Sequence, residues 1–133
     1  MTATLLLRCS PAERDLGLEV AREVSRAGYE VSAPDLDLRI VRTPPEFESP
    51  PSGCILFVTR TWSGSPEARR ALAEARAAGL PIWIAWWDED APSDFLGERR
   101  SEGVAEILYL CLLPRPDRLP RLIEGVRAQL ARR

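Results

Sequence analysis

Hydrophobic positions along this chain switch between two rhythms, and the switches mark out five strands and three long helices. The apolar run from Thr4 to Cys9 reads as a first strand. Ser10-Pro11-Ala12-Glu13 follows, with a capping hydroxyl, a proline suited to the first helical position and a glutamate three residues after the serine. Behind that start Leu16, Val20, Val24 and Ala27 recur at helical spacing, and Gly28 stands where a left-handed C-terminal cap belongs. Tyr29 to Ala33 predicts strand two. Cys54 to Thr59, apolar almost throughout, predicts a third strand covered on both faces. Ser65-Pro66-Glu67 opens another helix, stopped by Gly79 and Pro81, and its Ala68, Ala71, Leu72 and Ala75 form a small-residue face able to lie close to a sheet. Pro81 to Trp87 predicts strand four, and Ala105 to Leu112 strand five. Asp117 is expected to cap a last helix whose Leu119, Leu122, Ile123, Val126 and Leu130 form one stripe. Between Pro34 and Gly53 the apolar residues fit two periods and two Pro-Pro pairs intervene, which allows at most one short, distorted helix; another short helix is expected around Ser93 to Arg99.

Strand and helix alternate throughout, so the strands are joined by crossovers and should pair in parallel with right-handed connections. The expectation is a single α/β domain over residues 1–133, doubly wound and flavodoxin-like, with helices on both faces of a five-stranded sheet ordered 2-1-3-4-5. That order places the switch point between strands one and three, and ligands are expected beyond their C-terminal ends. The loops there are Ser10 to Asp15 and Arg60 to Glu67.

Composition narrows the chemistry. At 133 residues, 45% hydrophobic and 29% charged, the chain has the make-up of one globular domain, and no apolar run approaches the ~18–20 residues of a membrane span. Met1-Thr2-Ala3-Thr4 enters an apolar run with no basic leader, so the cytoplasm is the expected compartment. The net charge of −2, with both signs dispersed, offers no basic stripe for nucleic acid. There is no histidine, and all 18 basic residues are arginine. Ser-His-Asp and Cys-His catalysis, His-ligated zinc, Schiff-base lysines and Walker A loops are thereby excluded.

What remains is carboxylates, hydroxyls, thiols, arginines and backbone amides. Cys9, Cys54 and Cys111 each lie in or beside apolar runs and read as buried thiols. Cys9 invites comparison with a Cys-x5-Arg phosphate loop, but Arg14 leaves only four intervening residues and the loop has no glycine. The loop after strand one also lacks the hydroxyl- and glycine-rich character that a flavin phosphate would need. The acidic tip Asp88-Glu89-Asp90 suits either a divalent cation or plain solvation. More informative is the loop before the second long helix. There Ser63, Gly64 and Ser65 are expected to present free amides at a helix N-terminus, beside Arg60 and Trp62, as a place for a phosphate or carboxylate and a stacked ring; capping around a half-buried tryptophan is the competing reading.

The order of elements, with Ile55-Leu56-Phe57-Val58-Thr59 through Pro81-Ile82-Trp83-Ile84, resembles a Toll/interleukin-1 receptor (TIR) domain. In that family the third strand ends in a hydroxyl residue. Ser-x-Trp-x-x-x-Glu-Leu follows, then an alanine three residues on and a strand opening with proline. Ser65, Leu72, Ala75 and Pro81 take the Ser, Leu, Ala and Pro places, and Leu5 to Ser10 with Asp15 is a diluted form of the family's first motif. The resemblance implies the 2-1-3-4-5 sheet and a signalling or assembly role through homotypic or heterotypic contacts, including self-association, in a prokaryotic signalling or defence system. The departures are specific. Ala71 occupies the place of the family's catalytic glutamate and Glu67 the aromatic place, Trp62 is displaced upstream, and no glycine-containing interaction loop lies between strands two and three. In TIR enzymes that glutamate supports cleavage of the nicotinamide–ribose bond of NAD through an oxocarbenium-like state. With alanine there, the resemblance implies a module without catalytic residues, cofactor or metal. The alternative is an enzyme with NAD as substrate, or a related nucleotide binder, in which Ser10, Arg14, Asp15, Arg60, Trp62, Ser63 and Ser65 are the ligand candidates and Glu67 the carboxylate.

Overall fold

The computed structural model describes residues 3–36, 51–87, 93–96 and 102–132. Most of the Pro34 to Gly53 segment and the acidic tip Asp88 to Asp90 lie outside the described residues. Five strands form one sheet: β1 (Thr4–Arg8), β2 (Glu30–Ser32), β3 (Gly53–Val58), β4 (Ile82–Trp86) and β5 (Val104–Tyr109). Their order is β2-β1-β3-β4-β5, and every neighbouring pair is parallel. Three long helices, α1 (Arg14–Arg26), α3 (Pro66–Ala77) and α5 (Arg115–Ala131), accompany two single-turn ones, α2 (Arg60–Ser63) and α4 (Ser93–Leu96). This is the expected doubly wound α/β arrangement.

The sheet separates two cores, and side chains of alternate residues along each strand enter opposite ones. Leu5, Leu7, Ile55, Phe57, Trp83 and Ala85 pack against Leu18, Val20, Ala21 and Val24 of α1 and Leu122, Ile123 and Val126 of α5. Cys54, Leu56, Val58, Ile82, Ile84 and Trp86 pack against Ala68, Ala71, Leu72 and Ala75 of α3 and Phe95 and Leu96 of α4. Every residue of β3 and β4 is buried, which accounts for their unbroken apolar sequence.

The ends of α1 and α3 follow the sequence signals closely. Ser10 accepts from the Ala12 amide and caps a 3-10 turn over Pro11–Glu13 that leads into α1, and Ser65 caps α3 with Pro66 in its first turn. Gly28 and Gly79 end α1 and α3 at φ of +100° and +70°, a conformation that costs residues with a Cβ. In each case two amides close the helix: Gly28 and Tyr29 donate to Ser25 and Val24, and Gly79 and Leu80 to Arg76 and Ala75.

Most strand ends differ from expectation by a single residue, and three boundaries differ for a packing reason. The edge strand β2 is only three residues long, because the Tyr29 amide still serves the α1 cap and β1 pairs only with Glu30 to Ser32. Strand β5 stops at Tyr109, opposite the last residue of β4, Trp86. Past that point the chain turns through a 3-10 segment, Leu110–Leu112, that buries Leu110 and leaves Leu112 73% exposed. Helix α5 starts at Arg115 rather than after Asp117; Pro116 is tolerated in the first turn, and the Asp117 amide bonds back to the Pro114 carbonyl, so Asp117 lies inside the helix as a first-turn acid.

Strand β3 begins under the Trp83 ring. A Cβ added at Gly53 would fall 2.9 Å from Trp83 Cη2, with Pro81 on its other side, whereas one at Gly64 would meet open space. Gly53→Ala should therefore lower unfolding stability by roughly 1–3 kcal/mol, the usual cost of overpacking, and Gly64→Ala should leave it nearly unchanged; urea denaturation of both variants checks the contrast.

Candidate functional site

The C-terminal ends of β1 and β3 form the switch point, and the groups there are engaged with one another. Arg8, the last residue of β1, stands opposite Leu56 of β3 on the same face as α3. Its Nε donates to Asp35 Oδ2 at 2.9 Å, and the same oxygen accepts the Cys9 amide at 3.1 Å. Nη1 reaches Glu74 of α3 at 3.4 Å. Arg8 and Asp35 are each 18% exposed, whereas Glu74 is 60% exposed. Burial works against the Arg8 charge, but the hydrogen bond to Asp35 and the charges of Asp35 and Glu74 outweigh it and raise its pKa. One arginine thus ties the end of β1 to the turn after β2 and to α3.

The sequence-predicted candidates fall at the mouths of β1 and β3. Ser10 is half-buried and capped onto Ala12, Arg14 is half-buried at the start of α1, and Asp15 beside it is exposed. Beyond β3 the expected open loop is instead the single helical turn α2. Thr59, 6% exposed, caps it by accepting from the Trp62 amide at 3.3 Å. The Ser63 amide donates to the Thr59 carbonyl and the Ser65 amide to the Trp62 carbonyl, at 2.9 and 2.8 Å. Their hydroxyls donate to the Arg60 and Trp62 carbonyls, each at 2.7 Å, and Ser65 Oγ also accepts from Ala68. The expectation of free amides is corrected for both serines: the backbone winds back on itself before α3 starts, and the donors are bonded within the chain. Trp62 is 6% exposed and packs in the α3-side core, so its ring offers no stacking surface; Arg60 and Glu67 are exposed.

Along α3 Ala68, Ala71 and Ala75 face the sheet, Ala71 at 2% exposure, while Glu67 and Glu74 lie on the exposed side of the helix. Among the described residues no group of histidine, cysteine, aspartate or glutamate could hold a metal ion.

The two described thiols are buried and free. Burial pushes Cys9 up to about 12 from 9.0, with the Asp35 charge adding to the shift and Arg8 opposing it. Burial likewise pushes Cys54 up to about 12, with Arg8 opposing. Neither is a thiolate at neutral pH, and neither has the chemistry of a nucleophile.

Residue-by-residue reading passed over Asp35 and the pairing of Arg8, although a charged residue ending an apolar strand signals a buried partner. It also passed over Arg118, whose guanidinium lies 4.8 Å from the centre of the Trp87 ring. No sequence spacing announces that contact.

The fold and this site define a doubly wound α/β domain whose switch point is closed by an ion pair and by helix caps. No protein-family profile matches the chain, and no curated protein matches it significantly.

Asp35→Ala removes the acceptor of both the Arg8 guanidinium and the Cys9 amide, and should cost about 1–3 kcal/mol in urea unfolding, with Asp35→Asn costing less because an acceptor remains. Cys9 and Cys54 should resist a thiol reagent in the native protein and react on unfolding. Because their folded pKa values lie above the unfolded ones, the folded state holds the extra protons between pH of about 9 and about 12. Stability should therefore be fully present below that window and fall as pH rises through it; denaturation midpoints across the alkaline range, in wild type and Cys54→Ala, check the sign.

Proposed function

We propose that the chain is a non-catalytic signalling or assembly module that acts by contact with copies of itself or with similar domains, in a prokaryotic signalling or defence system. The reading joins the resemblance to TIR domains with one observation that carries it: Ala71, at the place of that family's catalytic glutamate, is 2% exposed and packed on the sheet. The neighbouring acids of α3 do not substitute for it. Glu67 and Glu74 stand about one turn to either side, a displacement of roughly 5–6 Å, against a tolerance of about 0.5 Å for a catalytic constellation. Glu74 is in addition directed to Arg8.

A surface for such contact has to come from residues that the two cores leave exposed. Ala68, Ala71 and Ala75 of α3 and Trp83 and Trp86 of β4 are buried, at 0–2% exposure for the tryptophans, so they serve the core. Arg69 and Arg70, exposed on α3, lie where such contact could be made. Among the described residues no helix is long and apolar enough to cross a membrane.

Nicotinamide release from NAD at high protein concentration should not exceed that of buffer, and Glu67→Ala should leave the result unchanged. Light scattering should show a mass that rises with concentration. Turnover that disappears in Glu67→Ala would overturn the non-catalytic reading, and a monomer at all concentrations would overturn self-association.

A further inference from the structure

On the α1/α5 side of the sheet a cavity of about 240 Å³ opens at the carboxyl ends of β3 and β4. Open α/β sheets bind ligands at this end. None of the ligand candidates from the sequence lines it. Phe57 and Val20 form its apolar floor, Trp87, Arg115 and Arg118 stand on one side, and Glu19 of α1 stands on the other.

The aromatic wall is fixed. Phe57 and Trp87 meet with ring centroids 5.7 Å apart and a 48° tilt, and Arg118 lies over the indole while its Nε donates to the Leu113 carbonyl at 3.0 Å. The two arginines have no carboxylate partner among the described residues, and the described lining, with Glu19, carries an excess of one positive charge. Two guanidiniums beside an indole and a phenyl ring match a ligand that carries a flat ring and an anion. The volume is below the ~300–1,000 Å³ of pockets for drug-sized molecules and suits a single ring.

The geometry points to a binding site for a small aromatic anion, with the ring beside the half-buried Trp87, over the floor that Phe57 and Val20 close, and its carboxylate or phosphate on Arg115 and Arg118. Glu19 sets the limit on affinity, because its charge opposes the ligand's. The site is separate from α3 and stands or falls independently of the assembly role.

Trp87 supplies the reporter, since it is half-buried while Trp62, Trp83 and Trp86 are 6%, 0% and 2% exposed. The full chain, labelled with 15N, is titrated with phenyl phosphate and followed through its indole N–H resonances, with Trp87→Phe assigning the signal. A saturable shift, largest at Trp87, is expected in the millimolar range, with phenol and inorganic phosphate each weaker by about tenfold or more. Arg115 is exposed, so Arg115→Ala should leave the fold intact and weaken binding about tenfold, the factor for one charge-assisted hydrogen bond. Glu19→Gln should tighten it. Absence of a saturable shift, equal affinity for phenol, or affinity unchanged in both variants would overturn the assignment.

Discussion

The burial of β3 and β4 on both faces is the constraint on which the rest of this structure depends. Two adjacent strands with no exposed residue need a layer of helix on each side. Parallel pairing supplies those layers, because each strand can reach the next only through a crossover. Neighbouring residues along a strand then belong to different cores: Ile55 and Phe57 lie with α1 and α5, and Leu56 and Val58 with α3 and α4. Ala68, Ala71 and Ala75 of α3 follow from the same demand. Short side chains let the helix lie near the sheet, and Trp62 and Trp86 fill the space beside it.

That constraint also shapes the switch point. A strand ending in Arg8 beside an almost fully buried sheet brings a charge to the edge of the core, and one oxygen of Asp35 accepts from both the Arg8 guanidinium and the Cys9 amide. The ends of β1 and β3 leave polar backbone that Ser10, Thr59 and Ser65 satisfy as caps. Hydroxyls that resemble ligand-binding groups in the sequence are thereby structural. The α1/α5 side of the same sheet edge is different: there a pair of arginines and two aromatic rings surround open space.

Much of the candidate site was illegible along the chain for definable reasons. A single helical turn such as α2 is too short to leave a periodic signature, so Arg60 to Ser63 reads as loop and its amides as free. Trp62 follows a polar stretch, and its burial depends on α3 and β4 converging on it. Asp35 lies in a turn, where a carboxylate is ordinary, and only the neighbouring β1 makes it a partner for Arg8. The Trp87–Arg118 contact joins residues from different elements.

The sequence by itself determined the five strands, the three long helices and the serine starts and glycine stops of α1 and α3, and through the alternation of strand and helix it pointed to parallel pairing, for which 2-1-3-4-5 is one of the few orders that right-handed crossovers leave. These follow from local physics, since period, capping and backbone sterics act within a few residues. It also determined which chemistries are impossible, because histidine and lysine are absent. Only the tertiary structure decided that Ala71 and Trp62 are core, that Arg8 is clamped, and that Arg115 and Arg118 face a cavity. Those outcomes depend on which surfaces are brought within a few ångströms of one another, and that distance is set by packing between elements remote in the chain.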